Sequence, residues 1–255
     1  MDLGLRDKVA VITGSSRGLG KASALALARE GARVVLNGRT EATLRQAADE
    51  IRAEGGNVAT VAADVSADSG CQALVDGALS AFGQIDILVN NAGGGTPARI
   101  ASPDSDWAAA IDWMFWPSLR LTRMVTPAMR ERKWGVVIMM ASIYGRELGG
   151  SSAYQVAKTA QISLAKTLAK ELAPDNIRVL SVAPGSISFP GGSWWRRQEQ
   201  EPEAMARFVA QEMPLGRFGR AEEVGDVVAF LCSERASLVT GVSLPVDGCQ
   251  SRSLI

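Results

Sequence analysis

The chain of 255 residues carries 27 Lys plus Arg against 27 Asp plus Glu, with 47% hydrophobic and 21% charged residues. That balance suits a folded globular protein, leaves no large tract that must stay disordered, and provides no basic excess to neutralise a nucleic-acid backbone. The sequence contains no histidine, which excludes histidine metal sites and Ser-His or Cys-His nucleophile systems and leaves acid–base chemistry to carboxylates, lysine, tyrosine or a cofactor.

Apolar runs of strand length recur at 9–12, 33–36, 58–62, 85–89, 136–140, 177–182 and 242–246. Each of the first six leads into a helix-length segment or a glycine-rich turn, and several are apolar at consecutive positions, as parallel strands covered on both faces must be. The expected architecture is α/β, a doubly wound sheet of seven mainly parallel strands with helices on both faces, making one domain of residues 1–255. Residues 186–214 break the rhythm beyond the sixth strand, where such sheets bind ligands, and read as a substrate-binding lid. Within it, Trp194, Trp195, Arg196 and Arg197 suit a clamp on an aromatic or acidic substrate. They equally suit a lid that packs its tryptophans on the body and leaves its arginines in water. The N-terminus has no basic n-region and no apolar stretch approaches the roughly 20 residues of a membrane span, so a cytoplasmic protein without a membrane partner is expected. Cys71, Cys232 and Cys249 are odd in number, far apart and without C-x-x-C spacing, which predicts small buried hydrophobes and no metal site.

The first strand runs into Thr13-Gly-Ser-Ser-Arg-Gly-Leu-Gly20 and then a helix. Gly14, Gly18 and Gly20 permit a tight turn, let backbone approach a pyrophosphate and pack the helix on the strand, so the anion meets the helix N-terminus. The second strand ends Leu36-Asn-Gly-Arg39, with no carboxylate to take a ribose 2′-hydroxyl. Arg39 with Arg17 suits a 2′-phosphate instead, so NADPH is expected over NADH. The competing reading makes both arginines solvated surface charges, with Glu41 in the first turn of a helix capped by Thr40. Tyr154 and Lys158 lie four apart at the start of a segment whose apolar Ala157, Ala160, Leu164, Leu168 and Leu172 recur at helical spacing, so they share a face. A phenol has a pKa of about 10, and a nearby ammonium favours phenolate, moving the group toward proton exchange at neutral pH. Ser142 ends the fifth strand and Asn90-Asn-Ala-Gly93 closes the fourth, both at the edge where a doubly wound sheet binds ligands.

Together these features resemble the short-chain dehydrogenase/reductase family over nearly the whole chain. The resemblance rests on T-G-x-x-x-G-x-G at Thr13 to Gly20, N-N-A-G at Asn90 to Gly93, Ser142, Y-x-x-x-K at Tyr154 to Lys158, and Pro184-Gly185. The tail from Pro214 to Val224, Thr240-Gly-Val and Val246-Asp-Gly248 is similar to 3-oxoacyl-carrier-protein-reductase-like members. The resemblance implies a Rossmann-type fold and reduction of a ketone or 3-oxoacyl carbonyl in a small-molecule substrate to a secondary alcohol by hydride transfer. Ser142 would polarise the oxygen, Tyr154 would protonate it, and Lys158 would activate Tyr154 and bind the nicotinamide ribose. Asp64 matches the position that contacts adenine. Ser16, Leu19, Asn37, Val65, Asn90, Ala92, Gly93, Pro184, Gly185 and Ile187 complete the implied cofactor-binding set.

Two positions depart from the family. Its W-x-x-x-x-x-x-N pattern, in the long helix before the fifth strand, helps hold a proton-relay water; Trp107 fits, but Met114 stands at the asparagine position. A thioether does not replace an amide's hydrogen bonding. Either the relay runs through a backbone carbonyl and Lys158 alone, or activity is reduced, or the substrate is unusual. Phe189 stands where members tend to have threonine, with Ser188 offering a hydroxyl beside it. An NAD-linked secondary alcohol dehydrogenase and a catalytically weak dinucleotide-binding protein are the competing readings. Family members commonly form tetramers through two long helices, here 104–132 and 152–172, and the C-terminal strand. The first carries Trp107, Trp113, Phe115 and Trp116, more aromatic surface than one side of a helix buries in its own domain, so a homotetramer or dimer is expected.

Overall fold

The computed structural model describes residues 2–254. In chain order the elements are β1 (Val9–Ile12), α1 (Gly18–Arg29), β2 (Arg33–Gly38), α2 (Glu41–Ala53), β3 (Asn57–Ala62), α3 (Asp68–Phe82), β4 (Ile87–Asn90), α4 (Asp104–Met114) and α5 (Trp116–Arg132). They continue with β5 (Gly135–Met140), α6 (Ser152–Leu172), β6 (Ile177–Pro184), β7 (Ile187–Ser188), α7 (Ser193–Gln200), α8 (Pro202–Glu212), β8 (Gly219–Arg220), α9 (Ala221–Cys232) and β9 (Ser243–Val246). Seven strands pair in the order β3-β2-β1-β4-β5-β6-β9, and every pairing is parallel.

The consecutive apolar residues of the central strands have the predicted cause. Ile12, Leu36, Ile87 and Val89 face Leu27, Leu44, Val224 and Val228 from α1, α2 and α9. Their neighbours Val11, Val35 and Leu88 face Leu74, Leu121, Met129 and Ala165 from α3, α5 and α6 on the other side. Because side chains alternate between faces and both faces are covered, β1, β4, β5 and β6 are buried at every position. Each fully buried aliphatic side chain contributes roughly 1.5–3 kcal/mol of transfer free energy.

The predicted helix 104–132 is two helices. Pro117 has no N–H to donate back to the Trp113 carbonyl, so α4 ends at Met114 and α5 starts anew beyond Phe115. Residues 186–214 are also ordered into elements: β7 pairs in parallel with β8, and α7 and α8 build their own apolar cluster. Trp194 stacks on Phe208 with centroids 4.8 Å apart and leans on Phe218 at 5.4 Å, which makes it a packing residue of this segment. Trp195 stays exposed, Arg197 lies over the Trp194 ring, and Arg196 donates to the Gly191 carbonyl.

Cys71 and Cys232 are buried, and burial pushes their thiols up to about 11 and about 12. Cys249 departs from the expectation and is exposed, in a turn with φ 64°. No helix among the described residues is long and apolar enough to cross a membrane.

Candidate active site

The strand order turns back on either side of β1, so the loops leaving β1 and β4 diverge and open a crevice at the carboxyl edge of the sheet. The glycine-rich loop fills one side. Gly14 and Gly18 take φ of 61° and 58°, left-handed conformations open to glycine at no steric cost. Gly20 is needed for space, since a Cβ there would lie 2.5 Å from Asn91 Nδ2 and 2.6 Å from the Gly14 carbonyl. Arg17 occupies the cap position of α1 with extended backbone and no side-chain capping bond, so the first-turn N–H groups and the positive end of the helix face the crevice. Leu19 is half-buried against the core. These features fit a dinucleotide's pyrophosphate: a helix terminus without a side-chain cap, reached by a loop too closely packed to accept side chains.

The loop is clasped by residues that the sequence reading did not single out. Asn91 donates its amide to the Thr13 and Gly14 carbonyls at 2.9 and 3.0 Å, and Thr13 Oγ1 accepts from the Asn91 and Ala92 N–H groups at 2.9 and 2.8 Å. Asn91 lies inside the quoted Asn-Asn-Ala-Gly motif, but only the adjacency of β1 and β4 shows what its amide reaches.

At the adenosine end, Ser16, Arg17, Lys21, Arg39, Thr40 and Thr43 line a common cleft. Arg17 and Arg39 are exposed, and Arg39 forms no hydrogen bond or ion pair with the described residues beyond feeling the field of Asp64. Lys21, unanticipated from sequence, pairs with Glu50 at 2.6 Å. Thr40 stands at the cap position of α2 without a capping bond, and Glu41 pairs with Arg45. Asn37 is buried; it braces β2 against β3 by donating to the Val61 and Ala63 carbonyls, so its side-chain donors are turned away from the cleft. Asp64 accepts from the Ser66 N–H and hydroxyl, which hold its carboxyl below the ordinary value, while Val65 is a core residue.

Farther along the edge, Asn90 is buried and donates toward Thr122 Oγ1 at 3.4 Å, leaving its Oδ1 without a partner among the described residues. Gly93 has φ 146°, and a Cβ on it would meet Met114 Cγ at 3.1 Å and Lys158 Nζ at 3.8 Å. Gly185, after Pro184 at the end of β6, admits the C-terminal turn, whose Asp247 and Gln250 would lie 2.7 Å from a Cβ. Ile187 is buried against Gly219. Phe189 lays its ring on the glycine loop, 2.6 Å from where a Gly18 Cβ would sit. Ser188 donates its hydroxyl to Gln198 Oε1 at 2.6 Å, so it braces α7 and does not stand in for a threonine at 189.

Ser142, Tyr154 and Lys158 converge where β5 meets α6. Ser142 follows β5 in extended conformation, and its Oγ accepts from the Tyr144 N–H at 3.2 Å, leaving its own proton to be donated. The turn Ile143–Gly145 that it opens lies directly on α6, since a Cβ on Gly145 would be 2.9 Å from the Lys158 carbonyl. The Ser142 side chain lies near the Tyr154 hydroxyl and favours its ionised form. Lys158 is buried, with Nζ donating to the Met140 carbonyl at 2.7 Å and to Gln161 Oε1 at 2.9 Å.

Burial raises Tyr154 above its ordinary value, opposed by the Ser142 hydroxyl and aided by Tyr144. Lys158 Nζ, held by Met140 and Gln161, lies over the Tyr154 ring, 5.8 Å from its centroid. Burial also lowers Lys158, from 10.5 to about 7.

A family model described as enoyl-(acyl carrier protein) reductase matches residues 14–249. A 3-oxoacyl-[acyl-carrier-protein] reductase of Thermotoga maritima is 36% identical over 248 residues, covering 96% of this chain and 98% of that protein. Dehydrogenase/reductase SDR family member 4 of Oryctolagus cuniculus is 36% identical over 249 residues, covering 96% and 94%. Among solved structures, L-sorbose reductase from Gluconobacter frateurii, complexed with NADPH and L-sorbose, superimposes with a TM-score of 0.94 at 38% identity, with both chains fully covered. A 7α-hydroxysteroid dehydrogenase complexed with NADH and 7-oxo glycochenodeoxycholic acid gives 0.91 at 31% identity, covering 100% of this chain and 98% of that one. Fold, crevice and likeness together define an NAD(P)-dependent oxidoreductase acting on CH–OH groups. The chain belongs to the short-chain dehydrogenase/reductase family.

Proposed function

We propose that the protein is an NADPH-dependent reductase of a ketone or 3-oxoacyl carbonyl in a small-molecule substrate, with Tyr154 as proton donor. The observation that carries this reading is the convergence of Ser142, Tyr154 and Lys158 at the open edge of the sheet, beside a glycine loop shaped for a dinucleotide. Gly14, Ser16, Gly18, Leu19 and Gly20 would hold the pyrophosphate, Asp64 and Val65 the adenine, and Asn90, Ala92, Gly93, Lys158, Pro184, Gly185 and Ile187 the nicotinamide half. A bound nicotinamide would supply the hydride. Ser142, with its oxygen already accepting from Tyr144, donates to the carbonyl oxygen and steadies the charge that develops there. Tyr154 then delivers its proton to that oxygen; a phenol raised by burial holds that proton at neutral pH, as a donor must. Residues 186–214 act as the lid, with Phe189 touching the glycine loop and Arg17 reaching the Gly191 carbonyl across the cleft.

NADPH is favoured over NADH by the cleft holding Arg17, Lys21 and Arg39, in which Arg39 has no competing ion pair among the described residues. A hydrogen bond to a charged group is worth roughly 1.5–3 kcal/mol, and 1.4 kcal/mol is about tenfold, so a preference of at least about tenfold is expected. Initial rates with both cofactors across ketones and β-keto esters test the reading. Arg39→Ala should raise the Michaelis constant for NADPH strongly and leave that for NADH nearly unchanged. Wild-type preference for NADH, or equal weakening of both, overturns the cofactor assignment, and no turnover of any carbonyl with either overturns the activity.

A further inference from the structure

Lys158 is a buried ammonium whose neighbours decide where it points. Gln161 lies one turn farther along α6 and is fully buried. Its Oε1 accepts from Lys158 Nζ at 2.9 Å, and its Nε2 donates to the Met114 carbonyl and to Ser118 Oγ, both at 2.9 Å. The amide orientation is dictated by these partners, because an ammonium only donates and a carbonyl only accepts. Met114 O, where α4 ends, also accepts from Ser118 Oγ at 3.2 Å. Thr122 donates to the Ser118 carbonyl at 2.6 Å and accepts from Asn90 at the end of β4. A buried polar chain thus runs from Lys158 through Gln161 and the start of α5 to Asn90.

We propose that Gln161 is a positioning residue of this site, its amide clamping Lys158 between the end of β5 and the α4–α5 junction. The inference rests on the catalytic reading above. It follows from the donor count: Met140 and Gln161 take two of the three Nζ donors, and the third is left for the crevice. Met114 contributes only its backbone carbonyl at the point where its thioether replaces an amide, and the facing helix supplies the amide instead. Pro117 assists, since the helix break it imposes is where Met114 O receives Gln161. Around Lys158, β5 presents Met140, the junction Met114 and Ser118, and the β4 loop Gly93, none of them titratable. Tyr154 on α6, with Tyr144 behind it, is the titratable neighbour among the described residues, and burial alone displaces Lys158.

The test compares Gln161→Met and Gln161→Glu. Methionine removes the acceptor and makes the ammonium harder to hold, whereas a carboxylate makes it easier, so Lys158 titration moves down in the first and up in the second. Losing or strengthening one charge-assisted hydrogen bond is worth about one pH unit. Two readouts are taken on variants with wild-type far-UV circular dichroism: NMR titration of 13C-labelled lysine in cofactor-free protein, and the alkaline limb of kcat for reduction. Opposite displacements of both by about one pH unit are expected. Wild-type midpoints in both folded variants overturn the proposal, as do displacements in the same direction. Tyr154→Phe is measured alongside: if it keeps near-normal turnover the catalytic reading fails, and if it is inactive while both Gln161 variants behave as wild type, only the role of Gln161 fails. Because Gln161→Glu keeps the shape of the side chain, it preserves the test if the methionine variant does not fold.

Discussion

Lys158→Met deletes a buried ammonium and keeps most of its aliphatic stem. Burial places the lysine at about 7 in the folded protein against 10.5 ordinarily, so between those values the unfolded chain binds a proton that the folded chain does not. Stability therefore rises with pH across that window, and the full cost of the charge is carried below it. At about 1.36 kcal/mol for each pH unit of displacement, the cost is about 5 kcal/mol at low pH, and about 2 kcal/mol of it is relieved between pH 7 and pH 9. Urea unfolding of wild type and Lys158→Met, both cofactor-free, reads this directly. The variant loses the bond to Gln161, but that offset is the same at both pH values and cancels in the comparison. Cys71 and Cys232 are raised by burial in both proteins and cancel, and Tyr154, raised above an ordinary phenol, keeps its proton across this window. The unfolding free energy of wild type should gain about 2 kcal/mol on the variant between pH 7 and pH 9. Parallel pH dependences would show that Lys158 is not held as a depressed ammonium.

Tyr154→Phe should lower turnover by about 100-fold or more while dinucleotide affinity stays close to wild type, because positioned general acids contribute 10²–10⁴; near-normal turnover in steady-state assays rules out the proton-donor role. Asn91→Ala removes both amide bonds to the glycine loop and should cost about 1–3 kcal/mol in denaturant unfolding. It should also weaken dinucleotide binding in fluorescence titration, and an unchanged midpoint together with unchanged affinity would show the clasp to be idle. Trp113 and Trp116 remain exposed at the α4–α5 junction, so association of chains through this region is expected. Sedimentation equilibrium at micromolar concentration checks it, and a species no larger than one chain refutes it.

The strands and their parallel pairing were legible in the sequence because each rests on local rules. Continuous apolar runs report burial on both faces, glycines mark the turn before α1, and a four-residue spacing puts Tyr154 and Lys158 on one helix face. The break between α4 and α5 was equally local, since Pro117 announces it, but the family resemblance implied one long helix over 104–132. The aromatic residues of 186–214 were visible, but their partners were not. Trp194 lies among Phe208 and Phe218, which are 14 and 24 residues away, and nothing near Trp194 in sequence distinguishes packing from a substrate clamp.

What the sequence by itself determined was which residues end which strands, and hence that a glycine-rich loop, a serine, a tyrosine and a lysine gather at one edge of the sheet. The tertiary structure alone decided how those groups are charged and braced. Asn37 reads like a cofactor residue yet ties β2 to β3, and Asn91 reads like a repeat of Asn90 yet locks the loop of a strand 77 residues away. Lys158 is placed beside the phenol by its spacing, but that spacing gave no sign that Met140 and Gln161 would hold its ammonium. Spacing along a helix fixes the direction of a side chain, whereas a hydrogen-bond partner and a desolvation penalty depend on atoms brought in by other elements, and only the folded chain assembles those.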